Sequence, residues 1–140
     1  MKIGSLVAAL TFALAVVAVA SAKVFGPGDI RLCGASKCVA IRDAAPLRAF
    51  STFIYHEGRP PAAATPRAGS AYFELRFRNG YVAGDIGSRS LDRFRSHGVL
   101  CGRFRTGTWY RMPPRAAAEV RELTRDLTPL RLTRAIPRSC

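Results

Sequence analysis

Acidic residues, lysine and histidine are all scarce in this sequence, and the recurrent catalytic motifs are missing. Among 140 residues, 9 Asp and Glu stand against 22 Lys and Arg, a formal charge of +13. Lysine contributes only Lys2, Lys23 and Lys37; the rest is arginine, a bias that GC-rich coding also produces. No G-x-S-x-G nucleophile elbow occurs, and Gly87-Ser88-Arg89-Ser90 lacks the strand-to-helix setting that would present a reactive serine. A glycine-rich phosphate loop, an internal repeat and a low-complexity tract are also absent. At 140 residues the chain is too short for two domains with a cleft between them. An apolar fraction of 49% with 22% charged residues argues against a disordered chain, a collagen-like chain and a coiled coil.

The longest apolar stretch, Leu6 to Ala20, runs about 15 residues where a membrane span needs about 20. It follows Met1-Lys2 and precedes Ala20-Ser21-Ala22, an A-x-A cleavage pattern. Residues 1–22 therefore read as a secretory signal peptide, and 23–140 as a single exported domain with no membrane span after cleavage. The charge excess belongs to that exported part, since Lys2 is the only basic residue in the leader.

Cys33, Cys38, Cys101 and Cys140 are an even set, which in an exported chain points to two disulfides. Cys33 and Cys38 flank a four-residue turn between short apolar runs, and opposed residues of a hairpin lie about 4.5–5.5 Å apart at Cα, within bridging range. The expected pairs are Cys33–Cys38 and Cys101–Cys140. A zinc site wants a second close Cys or His pair, and a redox site wants C-x-x-C at a helix start; neither pattern is here. No metal or cofactor is expected.

The element pattern predicts an α+β fold: an antiparallel sheet of roughly four to six strands built from hairpins, with two helices. Asp29 to Ile41 reads as strand, turn, strand. Asp43 reads as the N-cap of a helix in which Leu47, Phe50 and Ile54 recur at helical spacing. Gly58 to Ser70 is a Pro/Ala-rich loop. Asn79-Gly80 between alternating runs predicts a two-residue type I′ hairpin over Ala71 to Ile86. Its register sets Phe77, Leu75 and Phe73 against Val82, Gly84 and Ile86 on a core face. Arg78, Arg76 and Glu74 then face Tyr81, Ala83 and Asp85 on a solvent face. A further hairpin is expected about Thr106-Gly107, with Phe104 opposite Trp109 and Arg103 opposite Tyr110. Pro113-Pro114 opens a last helix whose stripe Ala116, Val120, Leu123, Leu127, Leu130 is expected to cover one face of the sheet until Pro129 stops it.

Between Gly87 and Arg115 lie Arg89, Arg93, Arg95, Arg103, Arg105, Arg111 and Arg115 against one acid, Asp92, interleaved with Phe94, Phe104, Trp109 and Tyr110. Guanidinium groups grip phosphate or carboxylate bidentately, and aromatic faces stack bases or sugars. Arg76, Arg78, Arg103, Arg105, Trp109 and Tyr110 are therefore candidates for an anion-binding face, unless the aromatic residues are core. The partner would be an anionic polymer, nucleic acid or wall polymer, or else an envelope protein, met by a monomeric domain. The alternative is a small hydrolase of RNA or polysaccharide. It would use His56 and His97 as acid and base, or Glu74 and Asp85, a carboxylate pair at the spacing of retaining glycosidases.

Overall fold

A computed structural model describes residues 23–56, 58, 60–87, 89–98 and 104–132. The expected leader over 1–22 and the expected Cys101–Cys140 bridge lie outside these residues. Among the described residues seven antiparallel strands form one sheet: β1 (Ile30–Cys33), β2 (Cys38–Ala40), β3 (Ala71–Phe77), β4 (Val82–Gly87), β5 (Arg93–Ser96), β6 (Trp109–Arg111) and β7 (Leu130–Arg131). Their order is β2-β1-β3-β4-β5-β6, with β7 beside β3. Two helices complete the mixed α+β architecture: α1 (Ala44–Ser51), extended by a π-helical segment over Thr52–His56, and α2 (Pro114–Leu123).

Alternation along the strands separates two faces. Ile30, Leu32, Leu75, Ile86, Phe94 and Tyr110 join Leu47, Phe50, Phe53 and Ile54 of the first helix, and Ala116 and Val120 of α2, in one buried cluster. Its centre is aromatic: Phe53 meets Phe94 edge-on at 5.6 Å, and Phe104 lies 5.3 Å from both Phe94 and Tyr110. Phe53 and Ile54 of the π-helical segment both lie in this core. Asp43 makes no side-chain cap; its carbonyl accepts the Leu47 N–H at 3.2 Å instead.

The β1–β2 hairpin carries the Cys33–Cys38 disulfide at the expected register, with the Cα atoms 4.0 Å apart. The β3–β4 pair keeps Leu75 opposite Gly84, Glu74 opposite Asp85 and Phe73 opposite Ile86. Its turn differs from a type I′ turn. Gly80 alone has a left-handed backbone (φ 89°), the Gly80 N–H reaches the Phe77 carbonyl, and the Phe77 N–H reaches the Tyr81 carbonyl, which makes a three-residue loop. A bulge then sets Arg76 against Val82 and leaves Ala83 as the extra residue. The loop shifts the register by one and the bulge restores it, and the bulge carries Ala83 into the core rather than onto a solvent face.

Two further expectations are corrected. The turn at Thr106-Gly107 forms, with the Thr108 N–H on the Arg105 carbonyl, but Phe104 is not in a strand. The partner of β6 is β5, which sets Phe94 against Tyr110 and Arg95 against Trp109. The last helix stops at Leu123 because the chain turns there: Thr124 Oγ1 donates back to the Val120 carbonyl at 2.6 Å, and Leu130 goes into β7 opposite Tyr72. That seventh strand takes the sheet beyond six.

β7 fits because it continues the line of β1 along the same edge of β3. The Ala35 N–H donates to the Thr128 carbonyl at 2.8 Å, and a Cβ built on Gly34 would sit 2.2 Å from that oxygen. Gly34→Ala should therefore push the two segments apart and cost about 2–3 kcal/mol in urea unfolding. Reducing Cys33–Cys38, which closes a loop of sequence separation 5, should cost about 2 kcal/mol in the same assay.

Candidate functional site

The sheet face opposite the aromatic core holds a charged row. Register places Tyr72, Glu74 and Arg76 of β3, Asp85 of β4, Arg95 of β5 and Trp109 of β6 on this side. Asp85 was expected at the solvent surface and is instead 2% exposed. Its Oδ2 accepts from Arg95 Nε at 3.1 Å and Nη2 at 2.5 Å, and His97 Nε2 lies 2.6 Å away. A carboxylate oxygen only accepts, so Nε2 of His97 carries the proton. The Arg95 guanidinium also lies 4.8 Å from the centre of the Trp109 ring. Arg76 serves Glu74, through Nε at 2.7 Å and through Nη2. The phenol of Tyr72 is held above its usual 10.0, first by burial and then by the charges of Asp85 and Glu74.

This geometry separates the acid/base candidates. His97 sits on the charged face against Asp85. His56 ends the π-helical segment on the other side of the sheet, with Nε2 2.8 Å from the Lys23 carbonyl. Glu74 and Asp85 do face each other, but each is clasped by a guanidinium, which leaves neither poised as a nucleophile. The main clefts of the described surface are lined by none of Glu74, Asp85, His56 and His97.

The anion-binding candidates divide as well. Trp109 and Tyr110 are 2% and 3% exposed, so neither offers a face for stacking, and the Tyr110 hydroxyl accepts the Arg105 N–H at 2.9 Å. Arg76 pairs with Glu74, while Arg78 reaches Asp29 at 3.4 Å and the Pro27 carbonyl at 3.2 Å. Arg105 is exposed, and Arg103 lies outside the described residues.

Sequence reasoning missed the arginines that come together elsewhere. A cleft of about 530 Å³ is lined by Ala64, Thr65, Pro66, Arg67, Ser70, Arg89 and Arg93. A second, of about 550 Å³, shares Ser70 and Arg89 with it and adds Ala71, Phe73, Leu91, Arg121, Thr124, Arg125 and Pro129. Among the described residues no acid lines either one. Arg93 donates to the Ala64 carbonyl at 2.6 Å, Arg121 donates to the Ser90 carbonyl at 2.9 Å, and Arg125 pairs with Glu122. The guanidinium groups of Arg67 and Arg89 have no hydrogen-bond or ion-pair partner among the described residues. Arg89 and Arg93 belong to the basic stretch legible in the sequence. Nothing local says that the segments holding Arg67, Arg121 and Arg125 fold beside them.

Among the described residues no group of three His, Cys, Asp or Glu could hold a metal ion, and no helix is long and apolar enough to cross a membrane. Compared with protein-family models, curated proteins and solved structures, the chain has no significant match.

Asp85→Ala would leave Arg95 buried without its counter-charge and should cost about 3–5 kcal/mol in urea unfolding, whereas Glu74→Ala on the more open rim should cost far less. The Tyr72 shift has a definite sign. Because the folded state holds the phenol proton more tightly than the unfolded chain, its contribution is full below the unfolded pKa and is lost as pH rises through the folded one. Tyr72→Phe should therefore make the alkaline side of the stability profile shallower.

Proposed function

We propose that the protein is an exported anion-binding domain that docks at the cell envelope on an anionic polymer, through the arginine-lined clefts rather than through an arginine–aromatic face. The observation that carries this reading is the pair Arg67 and Arg89, two cations whose guanidinium groups have no partner, in a cleft lined by no acid, among the described residues. Guanidinium groups already bound to carboxylates must give up that pairing to bind a ligand, and these two need not. The Cys33–Cys38 disulfide and the A-x-A pattern after the apolar leader support an extracytoplasmic site of action. In this reading α2 closes the helix side of the sheet, and its C-terminal turn supplies one wall of the cleft. A protein partner has less support: Val24, Tyr55 and Tyr81 are the exposed large apolar residues among those described.

A second reading, hydrolysis of RNA or polysaccharide, is favoured by one observation, the contiguity of Glu74, Asp85 and His97 on one sheet face. One titration separates the two readings. The oxidised exported chain is mixed with labelled RNA, and separately with an anionic wall polymer, across a salt series, and binding and polymer length are read together. The expected result is binding that weakens linearly in log–log salt, with the polymer intact. Arg67→Glu with Arg89→Glu should weaken binding by at least about tenfold and flatten the salt slope by about 1 to 2. Arg76→Glu with Arg78→Glu should change it little. Cleavage abolished by His97→Ala would overturn the binding reading in favour of the hydrolase.

A further inference from the structure

The two adjoining clefts differ in chemistry. One half is lined by Ala71, Phe73, Leu91 and Pro129 together with Arg121, Thr124 and Arg125; the other by Arg67 and Arg93; Arg89 and Ser70 belong to both. We infer that the joined cleft is a site for a monomeric anionic amphiphile, with one acyl chain on the apolar half and a phosphate or carboxylate head against Arg67, Arg89 and Arg93. This rests on the anion-binding reading above and names the ligand class for the same site.

Three features carry it. Because Arg89 lines both halves, a head group held by it brings its attached chain directly to the mouth of the apolar half. A purely ionic polymer would leave the apolar surface of Ala71, Leu91 and Pro129 uncovered. Among the described residues the one aromatic residue lining the cleft is Phe73, which is 3% exposed, so no ring face is open to stack a base. An acyl chain asks only for apolar surface. Finally, Leu91 is the one non-glycine residue with a left-handed backbone among those described, at φ 53°. A leucine resists that conformation, and residues held in it concentrate at ligand sites. Leu91 packs against the core and also lines the apolar half, so the strained backbone holds its side chain at the junction of core and cleft.

The test uses the oxidised exported chain in isothermal titration calorimetry with lysophosphatidylglycerol below its critical micelle concentration. Glycerol phosphate serves as the head alone, and lysophosphatidylcholine as the same chain without net charge. The anionic lysolipid should bind at least about tenfold more tightly than either. Leu91→Gly relieves the backbone strain and removes the side chain, so it should fold, which a thermal melt confirms. It should weaken the lysolipid by at least about tenfold and leave glycerol phosphate unchanged. Arg67→Glu with Arg89→Glu should abolish both. Equal binding of head and lysolipid, with Leu91→Gly silent, would overturn the amphiphile inference and leave the anion site standing. Equal binding of the two lysolipids would overturn it as unselective apolar capture. Failure of the lysolipid, glycerol phosphate and polymeric anions together would overturn the anion-binding reading itself.

Discussion

Asp85 carries a charge where there is almost no water. A carboxylate at that depth is tolerable only if cations and hydrogen-bond donors replace its hydration, and the chain supplies Arg95 and His97 to the same oxygen. Neighbouring structure depends on this arrangement. Arg95 reaches Asp85 because β5 pairs with β4 in the register that sets these two residues opposite each other, and one more strand across, Trp109 stands opposite Arg95. The pair ties three strands together on the face away from the aromatic core. A one-residue slip would bury Arg95 among phenylalanines and carry Phe94 toward the charged row, so the buried charge penalises wrong registers as well as stabilising the right one.

The same arrangement decides which arginines are available. Arg95 is committed to Asp85, Arg76 to Glu74 and Arg125 to Glu122, Arg93 is held by Asp92 and the Ala64 carbonyl, and Arg121 is anchored on a backbone carbonyl. With nine acids in the whole sequence there are too few carboxylates to pair every cation, and the surplus has to face solvent. At most positions such a surplus is a solvated surface. Around Ser70 it lines concave walls, where neighbouring cations share a low-dielectric boundary and the field on an incoming anion is concentrated. Arg67 and Arg89 thus differ from the other surface arginines in setting rather than in type.

Much of the sheet was legible because its signals are local. The Cys33–Cys38 bridge follows from a turn and two short runs, and the opposition of Glu74 and Asp85 follows from Asn79-Gly80. The hairpin reading succeeded beyond Leu75 although its turn was of another type, since the added loop residue and the bulge at Ala83 cancel. The solvent-face assignment failed for Asp85 because alternation identifies which residues share a face, and it does not say whether that face is covered. The stripe Ala116, Val120, Leu123, Leu127, Leu130 misled in a different way. Its spacing suits a continued helix, yet the Thr124 hydroxyl turns back to the Val120 carbonyl, and a free edge of β3 was waiting for Leu130. Trp109 and Tyr110 were read as possible stacking platforms when their neighbours in the fold, Arg95 and Phe104, make them interior. The arginine cleft was the least legible feature, since it joins three segments distant in sequence and none carries a motif of its own.

The central claim is that anion binding resides where these segments meet and that the Asp85 row is structural. Backbone amide NMR shifts of the oxidised chain from residue 23 onward, titrated with a short polyphosphate, test this directly. The account predicts shifts concentrated in 64–73, 89–93 and 121–125, with Asp85 and the hairpin tip at Arg78 and Asn79 unmoved. Shifts centred instead on Arg76, Arg78 and Arg105, or on Glu74, Asp85 and His97, would contradict it.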